Sequence, residues 1–600
     1  MVRSKTRLLR LFAVGTAIAL TLAACGGGNA SSTGQASGNG GPGPKSGGTI
    51  YLLTNAQQWD QVDPQRIYTG EDLAFFGGTI QRSLTSYKYS ADAKEGTSVV
   101  PDMATDTGTK NATATQWSFT LRDGVTWQDG TPVTCEDVKY GVSRTFAQDV
   151  INQGPTYQIA YLDIPAETDA AAIKAGFSSK YHGPYKSTPA QQALFDKAVT
   201  CDGNKITFNL NKPVPDFNYT TTLGFSPVRK TDDTGESYGQ PGHLVVSDGP
   251  YMVQSYATGN GGKMVLVRNP KWNKASDPLR AALPDTWEVD FGIDTKVMDQ
   301  RLMASAGKDN TAIQYGNIQP ENLATIFTDT EHTTAQFNGR AVSGFDPYSR
   351  YYWVNVNKVK NVDVRRAMWV ALDRQAIRLN IGGAFAGNFA DGVIKPNIGQ
   401  DYAPTGLLDG SLDWQAGNKP KDNGDPAFAK TLIAKSGAPA PTLTFNFPNT
   451  PTQSKTAAIV KASLEAAGFT IKLAPLESGQ YYSIVFDPAK SGDFGTAGWG
   501  ADWPNASTVI PPLFTQKGGW DLSQLDDSTV NQTVETAQTD TNRNDQSTKW
   551  QALNKEVVEN MWVLPTFFGL SQTLAGKKVG PIYRWPAYGS WPYGQMYVTS

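Results

Sequence analysis

Three histidines, three cysteines and one G-x-S-x-G pentapeptide are the obvious places where this 600-residue chain could do chemistry. His182, His243 and His332 lie more than 60 residues apart, so no paired-histidine helix can be written, and the chain is expected to hold no metal and no cofactor. Gly235-Glu236-Ser237-Tyr238-Gly239 matches the nucleophile pattern of serine hydrolases. A nucleophile elbow needs a buried strand before the serine and a helix after it. Ser237 instead follows Thr231-Asp232-Asp233-Thr234 and runs into Gln240-Pro241-Gly242, which reads as a loop. An exported serine hydrolase is therefore the remote alternative. The balance of 53 Lys and Arg against 55 Asp and Glu lacks the basic excess that phosphate neutralisation requires, so no nucleic-acid partner is expected.

The first residues are an address rather than a domain. Arg3, Lys5, Arg7 and Arg10 precede an apolar run, LFAVGTAIALTLAA, too short to span a bilayer comfortably. Residues 1–24 read as a signal peptide, and Leu22-Ala23-Ala24-Cys25 resembles a bacterial lipobox, in which the Cys25 thiol takes a diacylglyceryl group and becomes the new N-terminus. Removing the signal leaves 49 basic against 55 acidic residues, or −6. Of residues 26–48, 16 of 23 are Gly, Ser or Pro, a composition that cannot bury enough to order itself, so 25–48 is expected to be a lipidated tether. The chain is expected at the extracytoplasmic face of the cell membrane. Cys135 and Cys201 then remain as an even pair in an exported chain, which points to a disulfide, with two buried free thiols as the alternative.

The elements that must position any site are mixed. Trp117, Phe119 and Leu121 alternate with polar residues, Val125 and Trp127 continue the alternation, and Asp123-Gly124 and Asp129-Gly130 supply turns, which predicts strands. Thr134 followed by Glu136-Asp137 and by Val138, Val142 and Phe146 predicts a capped amphipathic helix, and Ile206, Phe208 and Leu210 another strand. Further on, Leu443, Phe445 and Phe447, then a helix over 457–467 closed by Gly468, then Ile471 and Leu473, predict a βαβ unit. Helices are predicted around Val364–Leu372 and Trp550–Met561. A mixed α+β lobe followed by an α/β lobe offers a cleft of the kind that holds small ligands.

The run Trp117 to Thr134 followed by Glu136-Asp137-Val138 closely resembles the signature of oligopeptide- and dipeptide-binding proteins of ABC importers, the bacterial solute-binding proteins of family 5. Val62-Asp63-Pro64, Ser247 to Tyr251, Arg268 to Trp272, Val364 to Ala367, Ala371 to Arg374 and Gly498 to Pro504 match in the same order. Cys135 in place of a usual Ala, an apparent insertion at 160–200, and Trp503-Pro504-Asn505 after the aspartate depart from the pattern.

The resemblance implies an α/β, two-lobed periplasmic-binding-protein-like fold with an extra β-rich subdomain inserted in lobe I (cluster C type). Residues 49–75, 226–292 and 568–600 would form the lobe I core, 76–225 the inserted subdomain and 293–567 lobe II. Closure of the lobes around a ligand, without chemistry, is the expected action. The implied role is capture of short peptides and delivery to ABC permease subunits, by a protein expected to be a monomer held at the membrane by its lipid. Asp502 would meet the ligand's α-ammonium, against the plainer reading that it begins a turn. Trp499 would wall a side-chain pocket, Gly498 and Gly500 would admit the ligand's backbone, and Tyr68, Thr69 and Gly70 would run beside it. Arg340 and Arg350 are candidates for the peptide carboxylate. Oligosaccharides or another solute on the same fold, or a signalling peptide, are the alternatives.

Overall fold

The computed structural model describes residues 44–152, 154–437, 439–477, 480–515 and 519–599, and the expected signal peptide and Cys25 fall outside them. A five-stranded sheet builds the first lobe in the order Ala312–Gln314, Thr49–Leu53, Thr286–Asp290, Lys263–Arg268, Tyr251–Tyr256, with the first three strands parallel and the rest antiparallel. Alternate residues such as Ile50, Leu52, Trp287 and Val289 are fully buried, as period-two side-chain geometry demands. Helix Gly70–Thr79 packs Phe75 and Phe76 into the same core.

The inserted subdomain is a four-stranded antiparallel sheet, Thr109–Lys110, Gln116–Thr120, Lys205–Asn209 and Val199–Asp202. Trp117 and Phe119 point inward, and helix Cys135–Arg144 covers them with Val138 and Val142. Its start is the predicted one: the Thr134 side chain accepts from the Asp137 amide while Asp137 reaches back to the Thr134 amide, which satisfies two otherwise orphaned donors. Val125 and Trp127 are buried as expected but form no regular strand, since only an isolated bridge joins Thr126 to Pro132. The Asp-Gly turns on either side, with Gly124 and Gly130 at positive φ, leave too little chain for one. A disulfide joins Cys135 to Cys201 with Cα atoms 5.9 Å apart, tying the helix to the edge strand.

The second lobe is a six-stranded mixed sheet in the order Gly387–Phe389, Val563–Leu574, Ala341–Val354, Phe494–Gly500, Thr442–Pro448, Thr470–Leu476, with a core on each face. The predicted βαβ unit is Thr442–Pro448, helix Pro451–Ala466 and Thr470–Leu476, its strands parallel. The helix begins six residues earlier than periodicity suggested, because Thr450 caps it and Pro451 takes the first position, where no amide donor is needed.

Two long strands, Ala341–Val354 and Val563–Leu574, pair antiparallel and carry the chain between lobes. One end lies in the first lobe, with Ala341 and Leu574 packed beside Leu53; the other, at Trp353 and Val563, lies in the core of the second. Pairing is interrupted between Phe345 and Ser349, midway along the crossing.

Four of the expected boundaries need correction. Helix Gly70–Thr79 belongs whole to the first lobe, so no boundary falls at 75. The first lobe extends past 292, because Ala312–Gln314 completes its sheet and helix Thr295–Ala304 packs on Leu53. The boundary at 567 falls inside a continuous strand. The last residues assigned to the tether are held, since Pro44 and Lys45 pair with Thr599 and Val598, and Gly47 donates to the Leu283 carbonyl at 2.8 Å. Those bonds use only backbone groups, which composition does not report.

Candidate functional site

Asp502 sits where the lobes meet. Strand Phe494–Gly500 carries the chain to it, and beyond it Asn505 caps the short turn Ala506–Thr508, whose first amide donates to Asp401 at 2.7 Å. Asp401 is itself held by Arg543 at 2.6 Å, so the loop around Asp502 is anchored from its own lobe.

Both oxygens of Asp502 accept hydrogen bonds from the opposite side of the cleft. The Tyr68 hydroxyl, just before helix Gly70–Thr79, donates to Oδ1 at 2.8 Å. The Tyr157 hydroxyl, on the short helix Tyr157–Tyr161 of the inserted subdomain, donates to Oδ2. Burial pushes the Asp502 carboxyl above the usual carboxylate range, and the two phenols pull it part of the way back. Burial and the adjacent Asp502 raise both phenols, which therefore stay protonated as donors. No lysine, arginine or histidine of the described residues pairs with Asp502. A desolvated carboxylate supplied with neutral donors only is a strong receptor for a cation, because attraction is much larger where water is excluded.

Around it the lobes are in contact. The buried Trp503 donates its indole N–H to Asp216 at 3.1 Å and lies edge-on to Tyr157, ring centroids 4.6 Å apart. Ser507 donates to the same Asp216 oxygen at 2.5 Å, and the Lys110 ammonium reaches the Thr541 carbonyl at 3.0 Å. Asp216 and Tyr157 carry no sequence signal that marks them. Trp503 stood out only as a departure from the family pattern.

The remaining expected residues are placed as follows. Trp499 donates to the Thr508 carbonyl at 2.7 Å and packs on Trp520, which in turn meets Tyr482 and Phe486, giving an aromatic wall. Gly498 and Gly500 pair with Arg350 and Tyr348; a Cβ at Gly500 would lie 3.3 Å from the Tyr348 ring, so the neighbouring strand uses that space. Thr69 is the N-cap of helix Gly70–Thr79, and Gly70 packs against the Tyr588 carbonyl. Of the two arginine candidates, Arg340 is turned into the first lobe, its guanidinium donating to the carbonyls of Ala575 and Leu302. Arg350 lines a cavity of about 300 Å³ together with Tyr348, Tyr482, Thr496 and Gly498. Ser237 begins no elbow: it closes a 3-10 turn, Gly235–Ser237, and its hydroxyl donates to the Thr234 carbonyl at 3.0 Å. Among the described residues no group of His, Cys, Asp and Glu is placed to hold a metal, and no helix is long and apolar enough to cross a membrane.

The geometry agrees with what comparison with known proteins finds. Residues 98–521 match the model of the bacterial extracellular solute-binding proteins, family 5, middle region. The chain is 24% identical over 482 residues to the periplasmic murein peptide-binding protein MppA of Escherichia coli, covering 78% of this chain and 79% of that one. It is 27% identical over 429 residues to the periplasmic oligopeptide-binding protein OppA of the same organism, 68% of each chain. The solved structure of clavulanic acid biosynthesis oligopeptide binding protein 2 superposes with a TM-score of 0.77 at 26% identity, covering 93% of this chain and 97% of that one. A two-lobed molecule whose lobes meet across an aspartate of the Gly498–Pro504 motif, and whose sequence matches over most of its length, belongs to the bacterial extracellular solute-binding proteins of family 5.

Proposed function

We propose that the protein is the peptide-capturing component of an ABC importer, anchored to the membrane through Cys25 and binding short peptides by their free α-ammonium at Asp502. The observation that carries this is the cross-cleft arrangement of Asp502: buried, without a cationic partner, and held by one hydroxyl from the first lobe and one from its inserted subdomain. An ammonium arriving there gains charge-assisted hydrogen bonds and brings both lobes to the same ligand. Main-chain recognition would leave side chains little constrained, while the wall of Trp499, Trp520 and Tyr482 offers them apolar surface. Relatives named for murein peptides and oligopeptides support the ligand class. The lipobox-like Leu22 to Cys25 supports the anchor. The protein acts by binding and release, with the permease as its partner.

Mass spectrometry of small molecules released on denaturing protein purified from its native host tests the ligand class. Peptides of two to about six residues with free amino termini are expected. Oligosaccharides in their place would move the assignment to a sugar-binding member of the fold.

A further inference from the structure

The two crossing strands wall a second cavity, of about 370 Å³, which is in the size range of small-molecule sites. Phe345, where their pairing is interrupted, and Phe568, which pairs with Ser349 beyond the interruption, belong to the crossing, and the second lobe supplies Phe389, Asp391, Tyr402 and Asp409. The cavity shares no lining residue with the one at Arg350, and neither Asp502 nor its two phenol partners line it. Phe345 and Tyr402 both stand edge-on to Phe568, with ring centroids 6.5 and 6.3 Å away. Asp391 is 5% exposed; its Oδ2 accepts from the Thr405 amide at 3.1 Å and from the Tyr402 hydroxyl at 3.3 Å, while Oδ1 is buried without a partner. Holding the chain at Thr405 thus occupies one oxygen and leaves the other desolvated, a costly state unless something answers it. Burial raises the Asp391 carboxyl, opposed by the Thr405 amide and the Tyr402 hydroxyl. Asp409 adds a second, exposed acid to the lining, and no lysine, arginine or histidine lines the cavity. Two of the rings are already engaged by cations: the Lys395 Nζ lies 5.0 Å from the Phe345 centroid, and the Arg378 and Arg374 guanidinium groups 4.2 and 5.7 Å from that of Phe389.

We propose that this cavity binds a small organic monocation, an alkylated ammonium held by the unanswered Asp391 oxygen and the rings of Tyr402 and Phe568, at a site separate from Asp502 and independent of the peptide reading. Each feature selects part of that description. A carboxylate withdrawn from water attracts positive charge far more strongly than one in solution. Aromatic rings take up a cation as well, and an alkylated ammonium gives up little hydration to meet them. A metal ion would need several more oxygen ligands than one buried carboxylate supplies. The positive charges of Lys395, Arg374 and Arg378 against the other two rings oppose a second charge on the ligand, which restricts it to one.

Calorimetry with choline and with dimethylbutanol, its neutral carbon isostere, decides this, run on the unsubstituted protein and on Asp502→Asn so that the cleft aspartate is silenced. Both proteins are expected to bind choline at least about 10-fold more tightly than the alcohol. Asp391→Asn keeps an acceptor for the Thr405 amide but removes the charge, and should weaken choline by about 10-fold or more while leaving the alcohol unchanged. Tyr402→Leu should weaken choline by about 3-fold or more, and it decides the matter if Asp391→Asn does not fold. Equal affinity of the unsubstituted protein for choline and the alcohol, or no binding of choline, overturns the proposal, as does a choline affinity that Asp391→Asn and Tyr402→Leu leave unchanged. Choline binding lost in Asp502→Asn and kept in Asp391→Asn overturns it too, by assigning the cation to the cleft, and leaves the peptide reading standing.

Discussion

Asp502 is the residue on which the functional reading turns, and its protonation has a measurable consequence. Its carboxyl is raised by burial, so in the ligand-free protein it protonates at a pH above the ordinary carboxylate value. A group raised in the folded protein stabilises the fold below its unfolded pKa, and that contribution is lost as pH rises through the folded value. Ligand binding runs the other way, since an ammonium needs the ionised form. Peptide affinity is therefore expected to fall on acidification, beginning above the usual carboxylate range, by up to about tenfold per pH unit for one linked proton. Tyr157→Phe removes one of the hydrogen bonds that favour the anion and should move the fall to higher pH. Calorimetry across pH checks this, and an affinity flat to the bottom of the carboxylate range would contradict it. The Asp502 position was legible from the Gly498–Pro504 motif, because a motif preserves order along the chain. Tyr68 was legible as part of a segment, not as a hydroxyl aimed at Asp502. Tyr157 was invisible, since a lone tyrosine in an insert announces nothing until folding brings it across the cleft.

Among the elements, the inserted subdomain was the best foretold. Alternation at Trp117 and Phe119, Asp-Gly turns and the Thr134 cap are local signals, and local signals survive in sequence. The boundaries were less legible because sheet membership is not local: Ala312–Gln314 is three residues long and joins the first lobe only through parallel pairing with Thr49–Leu53. The disulfide gives the element its own test. Its 66-residue separation implies roughly 4 kcal/mol of lost freedom in the unfolded chain on the entropy model. Cys135→Ser with Cys201→Ser should lower the unfolding free energy by about 2–5 kcal/mol. Because the bond joins helix Cys135–Arg144 to the Val199–Asp202 edge strand, amide exchange should quicken first in those two elements. Unchanged stability would mean that the bond constrains nothing the core of Trp117, Phe119, Val138 and Val142 does not already fix.

The molecule as a whole is two lobes joined by two strands, and the contacts between them include Tyr68 and Tyr157 on Asp502, Trp503 and Ser507 on Asp216, Lys110 on Thr541, and the packing of helix Ala93–Gly96 against the segment Pro396–Asp401. Asp216→Ala leaves the Trp503 indole without its acceptor and should cost about 1–3 kcal/mol of the closed state, seen as a larger radius of gyration in X-ray scattering of ligand-free protein and a weaker peptide affinity. An unchanged radius and affinity would show that the Asp216 contacts do not hold the lobes. The two-lobed plan itself was legible from the family motifs, whereas the contacts that close it join residues hundreds of positions apart and leave no pattern in the chain. The claim beneath all of this is that Asp502 binds an ammonium. Calorimetry of one short peptide and its N-acetyl form, on the unsubstituted protein and on Asp502→Asn, addresses it. Acetylation should cost the unsubstituted protein about 2–5 kcal/mol and the variant much less, because the variant buries no uncompensated charge. Equal affinity of the unsubstituted protein for the free and acetylated peptides would contradict the account.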